Sequence, residues 1–372
     1  MTALNHTALH AEHEKLGAAF TDFGGWDMPL KYQSELAEHR AVREAAGLFD
    51  LSHMGEVWVS GPDAAVFLNT ALVGDLAVMR VGKAKYTLIT DVSGGIIDDL
   101  IVYRIADERF LVVPNAGNAP TVAAALVERA AGFDVEVVNA SAETSLIAVQ
   151  GPKAEGILIG LVSNDIEREA IVGLGYYAWI PVVIDGVDVL LARTGYTGED
   201  GFELFIPNEQ AAGLWQLLLA AGEPVGLIPC GLASRDSLRL EAGMPLYGNE
   251  LGLDTNPYEA RLGGVVSLKK AERFVGRDAL EAIAGAETAR VLVGLKAVGR
   301  RAGRSHYAVH ASDGREVGAI TSGLPSPTLG YPVALAYVDR EFSELGTVLD
   351  VDLRGRFEPF EVIPTPFYRR AA

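Results

Sequence analysis

KYTLITDVSGGIIDDLIVYRIADERFLVVP, residues 85–114, reads as three strands joined by two short turns. KYTLIT, IIDDLIVYRI and FLVVP carry the β-branched and aromatic residues that suit a pleated, half-buried surface, while DVSGG and ADER carry turn residues. This is the grammar of an antiparallel meander. Successive side chains of a strand point to opposite faces, so Asp98 shares a face with Leu100, Val102 and Arg104, and Asp99 with Ile101, Tyr103 and Ile105. Asp99 has the less polar company. A turn at Asp91 to Gly94 sets Tyr86 directly across from Asp99, a pairing that a slip of one residue would undo.

Outward from the meander, QSELAEHRAVREAAGL (33–48) has helical spacing and DLSHMGEVWVSG (50–61) switches to strand alternation, which sets a boundary near residue 50. Residues 118–131 read as a helix, followed by DVEVVN, SLIAVQGP, PVVIDGVDVLLART and GFELFIP as strands. NEQAAGLWQLLLAAG (208–222) is an apolar helix, and LASRDSLRLEAG (232–243) is another, ending at Gly243 where a left-handed cap is wanted. Beyond about residue 279 short strands follow one another at sandwich or barrel spacing, the pattern of a separate C-terminal β-domain. The fold class is α+β with mainly antiparallel sheets, without the β-α-β alternation of a dinucleotide fold.

The chain has 372 residues, enough for two or three domains at roughly 150 each. Its longest apolar runs, LWQLLLAAG (214–222) and EGILIGLV (155–162), are far shorter than the roughly 18 to 20 residues that cross a bilayer. The opening MTALNHTALHAEHEK has no apolar core with a basic flank, so a cytoplasmic address is expected. Cys230 is the single cysteine and excludes an internal disulfide. Net charge is −18, from 49 acids against 31 Lys and Arg, a balance that repels nucleic acid. LKKAERFVGR (268–277), RRAGR (300–304) and YRR (368–370) are local basic islands.

RTGYTGEDGFELF (193–205) repeats the construction of the meander. A turn at Gly198 to Gly201 sets Tyr196 across from Glu203, so that two hairpins each present a tyrosine with a carboxylate. Two readings stand side by side. Tyrosine hydroxyls can satisfy half-buried acids, or the four residues wall a pocket for a flat ligand whose amino-pyrimidinone edge a carboxylate binds with two hydrogen bonds. Other chemistry is thinly represented. His10, His13, His39 and His53 lack a metal-ligand spacing, Gly173-Leu174-Gly175 lacks the third glycine of a dinucleotide loop, and Ser52-His53 has no assignable triad partner.

Seven blocks in order, FGGWDMPLKY (23–32), GLFDLSHMGE (47–56), KYTLITDVSGGIIDDLIVYR (85–104), AVQGP (148–152), RTGYTGEDGFEL (193–204), GLASRDSLRLEAGMPLYGNE (231–250) and GAITSGLPSPTLG (318–330), together resemble one family. It is the T-protein of the glycine cleavage system, a tetrahydrofolate-dependent aminomethyltransferase. The resemblance implies a three-domain cloverleaf around a central folate pocket, with a C-terminal β-barrel or jelly-roll-like domain. The expected domains are residues 1–50 with 140–245, residues 51–139 with 246–278, and residues 279–372. It also implies that the aminomethyl group on the lipoyl arm of H-protein passes its carbon to tetrahydrofolate, giving 5,10-methylenetetrahydrofolate, ammonia and dihydrolipoyl H-protein. No metal, flavin or nicotinamide is expected.

By the same resemblance Asp99 is the catalytic acid. Glu203 and Arg235 bind substrate, and Tyr86, Ile101, Tyr103, Tyr177 and Tyr196 line the folate site. A fixed carboxylate stabilises the positive charge that develops as ammonia leaves and manages the proton of a folate nitrogen. For Arg235, an ion pair with Asp236 or Glu241 stands beside the folate contact. The family's C-terminal pattern can present a ligand-contacting tyrosine where PTPFYRR places Phe367, next to Tyr368. A phenylalanine keeps the wall and loses the hydroxyl. Relatives that accept one-carbon units from sarcosine, dimethylglycine or a methylated sulfur compound usually belong to fused oxidases or differ in the acid block, and this chain is too short to include a flavin domain. The folate-binding relative that assists iron-sulfur assembly carries a K-G-C-Y-x-G-Q-E block that is absent here.

Overall fold

The computed structural model describes residues 3–370; the outermost residues of the first and last expected domains lie outside them. The chain divides into two compact units. The first comprises the segment ending at Ala71 with Asp75–Thr87 and Leu100–Arg235; the second comprises Leu72–Gly74, Leu88–Asp99 and the chain from Asp236 onward.

A six-stranded mixed sheet in the first unit has the order Trp179–Ile184, Val187–Ala192, Gly201–Pro207, Thr144–Gln150, Ala46–Asp50, Leu227–Pro229. Its last pair is parallel, with Leu227 beside Ala46. All five residues of Ala46–Asp50 are buried, as expected of a strand covered on both faces. The helix expected to reach residue 48 therefore stops early, at Glu35–Glu44, after Ser34 caps it by accepting from the Ala37 N–H. Leu214, Trp215 and Leu218 of the helix Asn208–Gly222 enter the core beneath this sheet.

The meander is present. A five-stranded sheet runs in the order Ala84–Thr90, Ile96–Ala106, Arg109–Pro114, Val57–Ser60, Glu136–Asn139. The first turn is one residue longer than expected. The Asp91 N–H donates to Gly95 O and the Gly94 N–H to Asp91 O, so Gly94, at φ +84°, stands as an extra residue before the returning strand. The register moves by one, and the expected pairing of Tyr86 with Asp99 slips. Burial along Ile96–Ala106 also inverts an expectation. Ile96, Asp98, Leu100 and Val102 form the buried row, with Asp98 fully buried, whereas Ile97, Asp99 and Ile101 are half-buried. Asp99 lies on the more open face despite its apolar neighbours.

In the second unit six strands close into a barrel in the order Arg290–Ala297, Pro332–Asp339, Glu316–Pro325, Ala308–His310, Val348–Asp352, Phe357–Ile363. Val293, Leu295, Ala334, Ala336 and Phe360 fill its core. Closure leaves no edge for another chain to extend. Among the described residues no helix is long and apolar enough to cross a membrane.

Candidate active site

RTGYTGEDGFELF does not form the tight hairpin expected of it. Glu203 pairs with Ala192 on one side and Ala148 on the other, so residues 193–200 make an eight-residue connection. Gln150 explains the difference. Its amide donates to Thr194 O at 3.1 Å and accepts from the Thr197 hydroxyl at 2.9 Å. A Cβ on Gly195 or Gly201 would stand 2.0 or 2.5 Å from that amide, so a side chain at either position would push Gln150 off these hydrogen bonds. Arg43 donates to Thr197 O at 2.7 Å and pairs with Glu199 at 2.9 Å, and Arg193 grips Asp200 with two nitrogens at 2.9 and 2.5 Å. Backbone hydrogen bonds anchor its ends at Arg193 and Asp200, and side chains set the path between them.

This fixed loop brings together Tyr103, Tyr196, Glu203 and Arg235 in the first unit. The Thr194 hydroxyl donates to Glu203 Oε2, and the Tyr103 hydroxyl donates to the same oxygen at 3.3 Å. The two hydroxyls lie 3.0 Å apart. Oε1 of Glu203 accepts no hydrogen bond from the described residues. Burial raises the Glu203 carboxyl above its ordinary range, against the Thr194 hydrogen bond and the charge of Arg235. Phe205 meets the Tyr103 ring edge-on at 5.5 Å.

Arg235 does not form the ion pair left open by its sequence. Asp236 accepts from Arg239 at 2.8 Å, and Glu241 accepts from Thr328 and Ser326. The Arg235 guanidinium instead lies over the ring of Tyr196, 4.8 Å from its centroid, and is attracted by Glu203. Tyr177 has φ +55°, a conformation that costs a non-glycine residue about 1–2 kcal/mol. It is held there by its N–H to Arg193 O at 3.0 Å and by its carbonyl, which accepts from the Ala84 N–H at 2.9 Å. It is close enough to Tyr103 to act on it electrostatically.

The remaining expected residues are more scattered. Ile101 shares its strand face with Tyr103, and Tyr86 is half-buried in the neighbouring strand. Asp99 closes the Leu88–Asp99 segment of the second unit. Phe367, also in the second unit, packs on Leu240, Leu292, Leu324, Val333, Leu335 and Tyr337.

Three further polar residues, two of them tied to this group and Glu56 buried apart from it, were given no part in a folate site by the sequence. Thr194 lay in a quoted block but carried no chemical signal of its own. His53 is 2% exposed, and its Nδ1 has no partner among the described residues. Burial lowers its pKa to about 4; Asp50 opposes that shift and Arg235 adds to it. Glu56 is fully buried, and neither of its oxygens accepts a hydrogen bond among the described residues. Burial pushes its carboxyl well above the ordinary range.

Residues 9–270 match the model of the GCVT N-terminal domain, and residues 290–369 that of the glycine cleavage T-protein C-terminal barrel domain. The chain is 56% identical over 373 residues to an aminomethyltransferase of Streptomyces coelicolor, covering 99% of each, and 54% identical over 387 residues to one of Corynebacterium jeikeium, covering 100% of each. It superposes on the crystal structure of glycine cleavage system aminomethyltransferase T from Bartonella henselae with a TM-score of 0.90, at 38% identity and with 98% of each chain covered. The barrel, the mixed sheets and these full-length likenesses agree: the chain belongs to the glycine cleavage T-protein family of aminomethyltransferases.

Proposed function

We propose that the chain transfers the one-carbon unit of the aminomethyl group from the lipoyl arm of H-protein to tetrahydrofolate, releasing ammonia and dihydrolipoyl H-protein. The observation that carries this reading is the state of Glu203. Two hydroxyls hold one oxygen, and the other accepts nothing from the described residues. A carboxylate fixed at 8% exposure suits the amino-pyrimidinone edge of a pterin, and the Arg235–Tyr196 stack supplies a flat cationic wall beside it. In this reading Tyr86, Ile101, Tyr103, Tyr177 and Tyr196 line the folate site, and Phe367 offers a ring without a hydroxyl.

Asp99 is the proposed catalytic carboxylate. It balances the positive charge on the carbon as ammonia departs and moves the proton of the attacking folate nitrogen, an effect worth about 10²- to 10⁴-fold. The three-domain division, a cytoplasmic address and action without metal, flavin or nicotinamide belong to the same proposal. The test is ammonia release from aminomethylated H-protein, with and without tetrahydrofolate. Release that tetrahydrofolate accelerates many-fold supports the reading. A rate indifferent to folate, or measurable on free aminomethyl lipoamide but not on H-protein, overturns the assignment of acceptor or donor respectively.

A further inference from the structure

Far along the chain from the proposed folate residues, three side chains from separate segments converge near the N-terminus. The Asn5 N–H donates to Gly25 O and the Asp27 N–H to Asn5 O, both at 2.9 Å, which lays the segment carrying His6 beside Trp26. His10 opens the helix His10–Lys15, and Asp27 lies in the strand Trp26–Lys31. Asp27 Oδ2 is 3.0 Å from His10 Nε2 and 4.0 Å from His6 Nε2, and the donor atoms of all three residues lie within 4.8 Å of one another.

We propose that His6, His10 and Asp27 form a binding site for a divalent cation of the zinc type. Two imidazole nitrogens and one carboxylate oxygen are a donor set that suits zinc, nickel and copper, and three protein ligands leave a fourth tetrahedral position for water. Bonds of about 2.0–2.2 Å place tetrahedral donors about 3.3 Å apart, so the distance to His10 already fits and that to His6 must close by under about 1 Å. The imidazole rings are stacked, with centroids 3.8 Å apart and planes 2° from parallel. Ring lone pairs lie in the ring plane, so one ring must turn for both to meet a single ion. His6, whose side chain is 55% exposed and which belongs to no helix or strand, is free to do so.

His10 is already oriented. Phe20 covers its ring at 4.7 Å and Asp27 holds its Nε2 at 3.0 Å, while Glu14, 3.9 Å from its Nδ1, is beyond hydrogen-bond reach and adds only its charge. The bound ion would clasp the segment before the first helix to the strand Trp26–Lys31. It takes no part in group transfer.

The test is calorimetric titration of the full-length, untagged and chelator-stripped chain with Zn²⁺ alone. The expected result is one ion per chain with a dissociation constant of about 10 μM or tighter, weakened at least about tenfold by His6→Ala and again by Asp27→Asn. Zn²⁺ should raise the melting temperature of the wild type and not of His6→Ala, a surface substitution that leaves the His10–Asp27 contact in place. Binding equal in wild type and both variants, or no saturable binding, overturns the proposal.

Discussion

The guanidinium of Arg235 lies over the Tyr196 ring at 4.8 Å, in a loop whose path is set by the Gln150 amide. Stacking needs a plane, and lysine keeps the charge of arginine without it. Arg235→Lys should therefore fold as the wild type does and weaken tetrahydrofolate binding by about tenfold, read by fluorescence titration. An unchanged dissociation constant would return Arg235 to a structural part.

Asp99 is half-buried, and its neighbour Asp98 fully so. Asp99→Asn keeps the shape and removes the charge. It should leave folate binding within about threefold of wild type and cut ammonia release by about 10²- to 10⁴-fold. Wild-type turnover in this variant would take Asp99 out of the chemistry.

His53 titrates at about 4 in the fold against 6.5 in an open chain. A base whose folded pKa is depressed contributes its full stability above the open-chain value and loses it as pH falls towards the folded one. Between pH 6.5 and 4, wild type should lose roughly 3 kcal/mol more stability than His53→Gln does. Urea unfolding of both proteins across that window measures it, and parallel curves would refute the burial of a neutral ring.

Glu56 works in the opposite sense. Its folded pKa is raised, so the open chain ionises first and stability falls as pH climbs above the ordinary value of 4.5. Glu56→Gln stays neutral throughout. Its melting temperature should gain on the wild type from about pH 4 to pH 8, and a gap that does not widen would mean that the carboxyl has found a partner.

The alternation of KYTLIT and IIDDLIVYRI was enough to place the meander, since period-two patterning is local. The register was not legible, because Gly94 at φ +84° adds a residue that spacing alone does not reveal. For the same reason Tyr196 could not be placed. The loop that carries it obeys Gln150, forty-six positions earlier, and not the strands on either side. Glu203 was singled out on a tight turn that the chain does not make, and its role, like that of Arg235, was read only from the family likeness of its block. Thr194 and His53 were in such blocks too, but a hydroxyl or an imidazole shows its use only when burial and distance are known.

The connection 193–200 has one further consequence. Glycines at 195 and 201 admit the Gln150 amide, and Arg43 and Arg193 tie down the remainder before any ligand arrives. The entropy of ordering Tyr196 is thus lost during folding rather than at binding. A visiting pterin would meet a wall already standing, and its affinity would depend on contacts made instead of on a loop recruited.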